Sequence, residues 1–283
     1  QFPSNRQISN SLRHFCPWLL CHQVVDKMEH IVLVGDSVLD NKAYTGSGPC
    51  VTEHLEFKVR ECSWKVTNCA VDGDVVQDVI ETQLANIPQT ATVLVVSAGG
   101  NDGLNLLSSL EQEGLTLCNF VQKLRHIRNE LRSRYRRMLQ ELSQLERPIT
   151  VCTIYYPRWN QEGCLTRAMS YSGVFFLNQV IRSEARALGL PIIDLAWVFN
   201  DAKDYANAIE PSASGGDKIS NNIITVVREH NFNFKRTASY WCRTYSSVLT
   251  PGMAAADRRD ASRLAKAAKH ERFRNHQLPK SSC

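Results

Sequence analysis

From residue 31 the chain runs Ile31-Val32-Leu33-Val34-Gly35-Asp36-Ser37-Val38-Leu39-Asp40. Four apolar residues in succession, three of them β-branched, make a strand whose two faces must both be covered, as in a parallel sheet. The turn Gly35-Asp36-Ser37 then falls at the carboxyl end of that strand, where open α/β sheets place their ligand sites. A serine at that edge is a candidate nucleophile.

The rest of the chain repeats this pattern. Further β-rich runs occupy residues 64–71, 92–97, 149–154 and 191–195. Between them lie helical patterns: residues 50–59, then an apolar face of Val75, Val76, Val79, Ile80 and Leu84 with Asp74 as its expected N-cap. The longest runs from Leu117 to Leu145, with apolar residues every three or four positions and Arg128, Arg132 and Arg136 on the other face. That basic run reads as a solvated face, not a phosphate site. A helix over 171–188 stops at Gly189, before Pro191, and a closing helix spans 215–230. Strand and helix in alternation predict a three-layer α/β/α domain, flavodoxin-like, with a parallel sheet of about five strands.

The domain is expected over residues 28–230. Residues 1–27 show no periodicity and are read as a disordered leader or upstream extension, with Met28 a natural start. Residues 231–283 are read as a basic extension of unknown role, in which 254–276 has the pattern of an alanine-rich helix. The charge distribution supports this division. The net charge is +5 over 283 residues, yet residues 231–283 carry 11 Lys/Arg against 3 Asp/Glu. Residues 28–230 carry 19 against 24, so the basic character belongs to the ends and implies no nucleic-acid surface on the domain. No run approaches the ~20 apolar residues of a membrane span. The 10 cysteines include no CxxC pair, which fits a reduced, cytoplasmic protein better than a disulfide framework.

Three turns at successive strand ends carry the chemistry: Gly35-Asp36-Ser37, Asp72-Gly73-Asp74 and Gly99-Gly100-Asn101-Asp102. A doubly wound sheet brings all three to one edge. There Ser37 can attack a carbonyl. The N–H groups of Ser37 and Gly73 and the amide of Asn101 can donate to a developing oxyanion. Taken singly, Asp36 and Asp102 read equally well as carboxylates bonded to loop N–H groups, and the glycines as turn residues.

In these residues the sequence resembles the SGNH (GDSL-type) hydrolases, a family of serine esterases, lipases and carbohydrate deacylases. The resemblance spans about residues 29–230 and implies an ester hydrolase acting on a small-molecule acyl ester. It makes Ser37 the nucleophile and Ser37, Gly73 and Asn101 the oxyanion hole, and it implies neither metal nor organic cofactor. No ligand spacing or phosphate loop suggests one either.

The last block departs from the family, which supplies Asp-x-x-His-Pro before the final helix. Here the chain has Asn207-Ala208-Ile209-Glu210-Pro211-Ser212. Aligned on the proline, Asn207 takes the Asp position and Glu210 the His position. Glu210 serves as a base only if burial or a nearby carboxylate such as Asp36 raises its pKa toward neutrality. His30, His54, His126 and His230 fall on helices or at the wrong end of the first strand. Two readings stand: a serine esterase with a carboxylate base, or a silent relative that uses the same pocket for binding. Tyr156 and Trp159 are open between pocket wall and core plug, and nothing in the sequence fixes the oligomeric state.

Overall fold

The computed structural model describes residues 28–111, 117–159 and 163–241. The expected leader, the helix over 254–276 and most of the basic extension lie outside the described residues. Among the described residues, six parallel strands form one sheet in the order β2-β1-β3-β4-β5-β6. They are β1 (His30–Gly35), β2 (Lys65–Asn68), β3 (Val93–Ser97), β4 (Ile149–Cys152), β5 (Ile192–Ile193) and β6 (Ser239–Tyr240). The helices are α1 (Val51–Val59), α2 (Val76–Asp78), α3 (Gly100–Glu111), α4 (Leu117–Ser143), α5 (Cys164–Leu188), α6 (Leu195–Val198) and α7 (Ala213–Glu229). The sheet is parallel throughout, with Ile31 opposite Val66 on one side and Val93 on the other.

Strand β1 shows why both faces are covered. Val32 and Val34 point into one apolar layer, with Leu94, Val96 and Val151 of the sheet and residues of α4 and α5. Ile31 and Leu33 point into the other, against Val51 and Leu55 of α1 and Ile219 and Ile223 of α7. Successive side chains alternate across the sheet, so an unbroken apolar run fills both layers. The result is the three-layer arrangement that the alternation predicted.

Three local features differ from the sequence reading. A sixth strand comes from Ser239–Tyr240, inside the segment read as an extension; its two residues pair with Ile192 and Ile193. Asp74 does not cap α2. Val75 holds that position, and the Asp78 carboxylate accepts the Val75 N–H at 2.9 Å. The helix expected around residues 75–84 is broken into α2, a π turn over Val79–Gln83 and a 3-10 turn over Leu84–Asn86. The basic face of α4 is also more than solvated surface, since Arg132 and Arg136 both bond the buried Glu184 of α5, at 2.6 and 2.8 Å.

Strands β1 and β3 are neighbours, and the chain leaves β1 toward β2 on one side and β3 toward β4 on the other. This is the switch point where open α/β sheets bind ligands, beyond the strands' carboxyl ends. The turn after β1 carries Ser37, and the start of α3 after β3 carries Asn101.

Candidate active site

The turn after β1 depends on Gly35. Its φ is +135°, and a Cβ built there would lie 1.7 Å from the Ser97 carbonyl oxygen, so only glycine fits. The chain then bends, with the Asp36 N–H bonded to that same carbonyl at 3.0 Å. Ser37 is presented at the edge of an open cleft. Its walls comprise Asp36, Ser37 and Val38; Gly100, Asn101, Gly103 and Leu104; Ile154, Tyr155, Pro157 and Trp159; Ser170, Gly173, Val174 and Leu177; and Ile209 and Glu210. The structure thus brings Asp36, Ser37, Asn101 and Glu210 to one cleft. Trp159 and Tyr155 prove to be wall residues, whereas Tyr156 stacks on Tyr171 at 5.3 Å between ring centres.

Glu210 is held by a short, heavily bonded loop. Tyr205 and Pro211 form an antiparallel bridge, and the Ala206 N–H donates to the Glu210 carbonyl at 2.9 Å. The Asn207 side-chain oxygen accepts the N–H groups of Ile209 and Glu210, each at 2.9 Å. Asn207 therefore fixes the backbone that carries Glu210. From the other side the Tyr155 hydroxyl donates to the Ile209 carbonyl at 2.6 Å, and the Arg158 N–H donates to that of Ala208 at 2.7 Å. Tyr155 is itself stacked on Phe199, with ring centres 4.0 Å apart.

Electrostatically the cleft is unusual for what it leaves unpaired. Asp36 is 1% exposed and Glu210 7%. Asp36 Oδ1 accepts the Val38 N–H at 3.2 Å, while Asp36 Oδ2 and Glu210 Oε2 are buried without hydrogen-bond partners. Burial pushes the Asp36 carboxyl up to about 7; the charges of Glu210 and Asp102 act in the same direction, and the Val38 N–H opposes them. Burial likewise raises the Glu210 carboxyl, with Asp72 adding to the rise and the Ser37 hydroxyl pulling it back. Both shifts share one cause: an ionised carboxylate has lost its water there. None of the cleft's described walls offers a Lys, Arg or His side chain.

Asn101 lines the cleft and donates one amide hydrogen to the Asp74 carbonyl at 2.9 Å. Gly73 lies in the same turn, at φ +90°, with open space where a Cβ would stand. It is not among the walls of the cleft. Asp102 is not either: its carboxylate accepts the Val76 N–H at 2.9 Å and fixes the start of α2. The four described histidines stand away from the cleft. His30 bonds Thr90 and Thr67, His54 the Ala213 carbonyl, and His230 the Tyr240 hydroxyl, while His126 pairs with Glu130 on α4.

Gln83 escaped the sequence reading. It is 1% exposed, and its amide is fully bonded. Oε1 accepts the Gly35 N–H at 2.8 Å; Nε2 donates to the Gly35 carbonyl at 2.7 Å and to the Asp74 carboxylate at 2.8 Å. One signal was available: Gln83 continues the inward spacing of Val76 and Val79, and a polar residue at such a position needs a buried partner.

The family model of GDSL-like lipases and acylhydrolases matches residues 33–217. Among solved structures, a lipase from a goat rumen metagenome is 17% identical with a TM-score of 0.54, covering 70% of this chain and 96% of that one. An acetyl xylan esterase is 11% identical with a TM-score of 0.53, covering 70% and 99%. A catalytic mutant of an acetylxylan esterase from Geobacillus stearothermophilus is 17% identical with a TM-score of 0.51, covering 72% and 95%. At such identities the likeness concerns the fold. No curated protein matches the sequence.

Proposed function

Since the chain belongs to the GDSL-like lipase/acylhydrolase family, we propose that it hydrolyses small acyl esters, with Ser37 as nucleophile and Glu210 as its base. The observation that carries this reading is that Ser37 and Glu210 line one cleft, where the buried Glu210 carboxyl retains an unpartnered oxygen. A serine hydroxyl needs an adjacent acceptor for its proton, and a carboxylate suits that task when its pKa is raised toward the working pH.

In the acylation step the Ser37 proton passes to Glu210 as Oγ bonds to the acyl carbon. The carbonyl π electrons move onto oxygen, where the N–H groups of Ser37 and Gly73 and the amide of Asn101 stabilise the charge. Collapse breaks the ester C–O bond, and the leaving alkoxide takes the proton from Glu210. Water then repeats the sequence on the acyl-serine, its proton going to Glu210 and returning to Ser37 Oγ. No metal or organic cofactor enters these steps. The acyl group rests against the apolar wall of Leu104, Ile154, Trp159, Val174 and Leu177.

Replacing Ser37 by Ala should abolish hydrolysis of p-nitrophenyl butyrate while leaving the unfolding midpoint nearly unchanged. Full activity in that variant would sink the assignment. The rival reading, a binding protein with the same cleft, is favoured by one observation: no described histidine reaches it. It requires that Ser37 be unreactive at every pH.

A further inference from the structure

We infer that Gln83 is a positioning residue, whose side-chain amide sets the distance between the nucleophile turn and the oxyanion donors. This rests on the assignment of Ser37, Gly73 and Asn101 above. The amide grips both the N–H and the carbonyl of Gly35, at 2.8 and 2.7 Å, two residues before Ser37. With its second Nε2 hydrogen it holds the Asp74 carboxylate at 2.8 Å, one residue after Gly73. The Asp74 carbonyl in turn receives the Asn101 amide at 2.9 Å. A single buried side chain thus ties the first turn to the second, and the second carries the third.

A purely structural role would be met by fewer bonds. The Gly35 carbonyl already receives the Val71 N–H at 3.0 Å, as the parallel ladder continues past β2. The Asp40 carboxylate accepts the Asp72 N–H at 3.2 Å, and Gln83 adds the link from Gly35 to Asp74, on the far side of Gly73. Its backbone lies at the end of the π turn, which adds a residue to the helical repeat and so changes where the side chain is aimed. Oxyanion donors act on charge that exists only in the transition state. Loss of the link should therefore slow the bond-forming step and leave substrate binding alone.

Reaction with an alkyl fluorophosphonate reads this step, because Ser37 Oγ bonds to phosphorus as fluoride leaves, with the phosphoryl oxygen in the oxyanion hole. For the full chain, the limiting inactivation rate and the half-saturating probe concentration are measured for native protein, Gln83→Leu, Gln83→Glu and Asp74→Ala. The expected result for Gln83→Leu is a rate lowered roughly 10- to 100-fold, the scale of a misplaced reacting group, with half-saturation within about threefold of native. Asp74→Ala severs only the link between turns and should lower the rate by a smaller factor. In Gln83→Glu, an ionised carboxylate faces the Gly35 carbonyl and Asp74. Its rate relative to native should recover as pH falls and the glutamic acid regains a donor hydrogen.

A folded Gln83→Leu with native rate, or one altered only in half-saturation, overturns the inference. Should Gln83→Leu not fold, a flat pH ratio in Gln83→Glu together with an unaltered Asp74→Ala overturns it equally. If native protein does not react at Ser37, the esterase reading itself fails and takes this inference with it.

Discussion

Asp36 occupies a place where its own charge is unwelcome. The carboxyl is buried beside Glu210, with one oxygen unpartnered, and its value of about 7 lies well above the ordinary 3.8. A folded-state value above the unfolded one means that folding takes up a proton. The stabilisation is complete below the ordinary value and is lost as pH rises through about 7. Asn at this position has no proton to lose. The stability of Asp36→Asn relative to native should accordingly grow between about pH 4 and about pH 7, as read by urea unfolding at both values. Parallel stabilities would contradict the burial argument. At this scale the meeting of Ser37, Asn101 and Glu210 at one cleft was legible in the sequence, because the three turns and the Pro211 block are local signals. Asp102, open in the sequence between the site and a bond to loop N–H groups, turns its carboxylate to the Val76 N–H. Sequence adjacency to Asn101 does not say which way a carboxylate points.

Among elements, the loop of residues 205–211 matters most, because it delivers the Glu210 carboxyl to the cleft. Its conformation rests on side-chain to backbone bonds more than on regular structure. Replacing Asn207 by Ala removes the acceptor for two N–H groups. It should cost about 1–2 kcal/mol and lower turnover roughly tenfold, measured together by unfolding and by kcat. Loss of stability with native kcat would mean that the loop does not position Glu210. The strands were legible because β-branched runs buried on both faces have few alternatives. The segment 75–86 was not, since a regular helical spacing hid a π turn. That turn spends one inward position on Gln83, and nothing local announces a bond to Gly35 across 48 positions of sequence.

Over the whole molecule, the sheet order places the β1 and β3 turns side by side at the switch point, with β4, β5 and β6 extending one edge. The sixth strand was invisible in the sequence because two residues carry no period. Its contribution is tertiary: Phe232 and Tyr240 pack against the apolar layer formed with α1 and α7. Ending the chain after residue 230 should lower the unfolding midpoint by roughly 5 °C or more relative to a chain that ends after Trp241 and keeps β6. Equal midpoints would show that β6 contributes nothing. The central claim, that a carboxylate activates Ser37, is tested most directly by fluorophosphonate labelling of native chain and of Glu210→Gln, with peptide mapping. The account predicts modification at Ser37 in the native protein and its loss in folded Glu210→Gln. Labelling that survives Glu210→Gln would assign the base elsewhere, and a folded native protein that stays unlabelled from about pH 5 to about pH 9 would contradict the esterase reading.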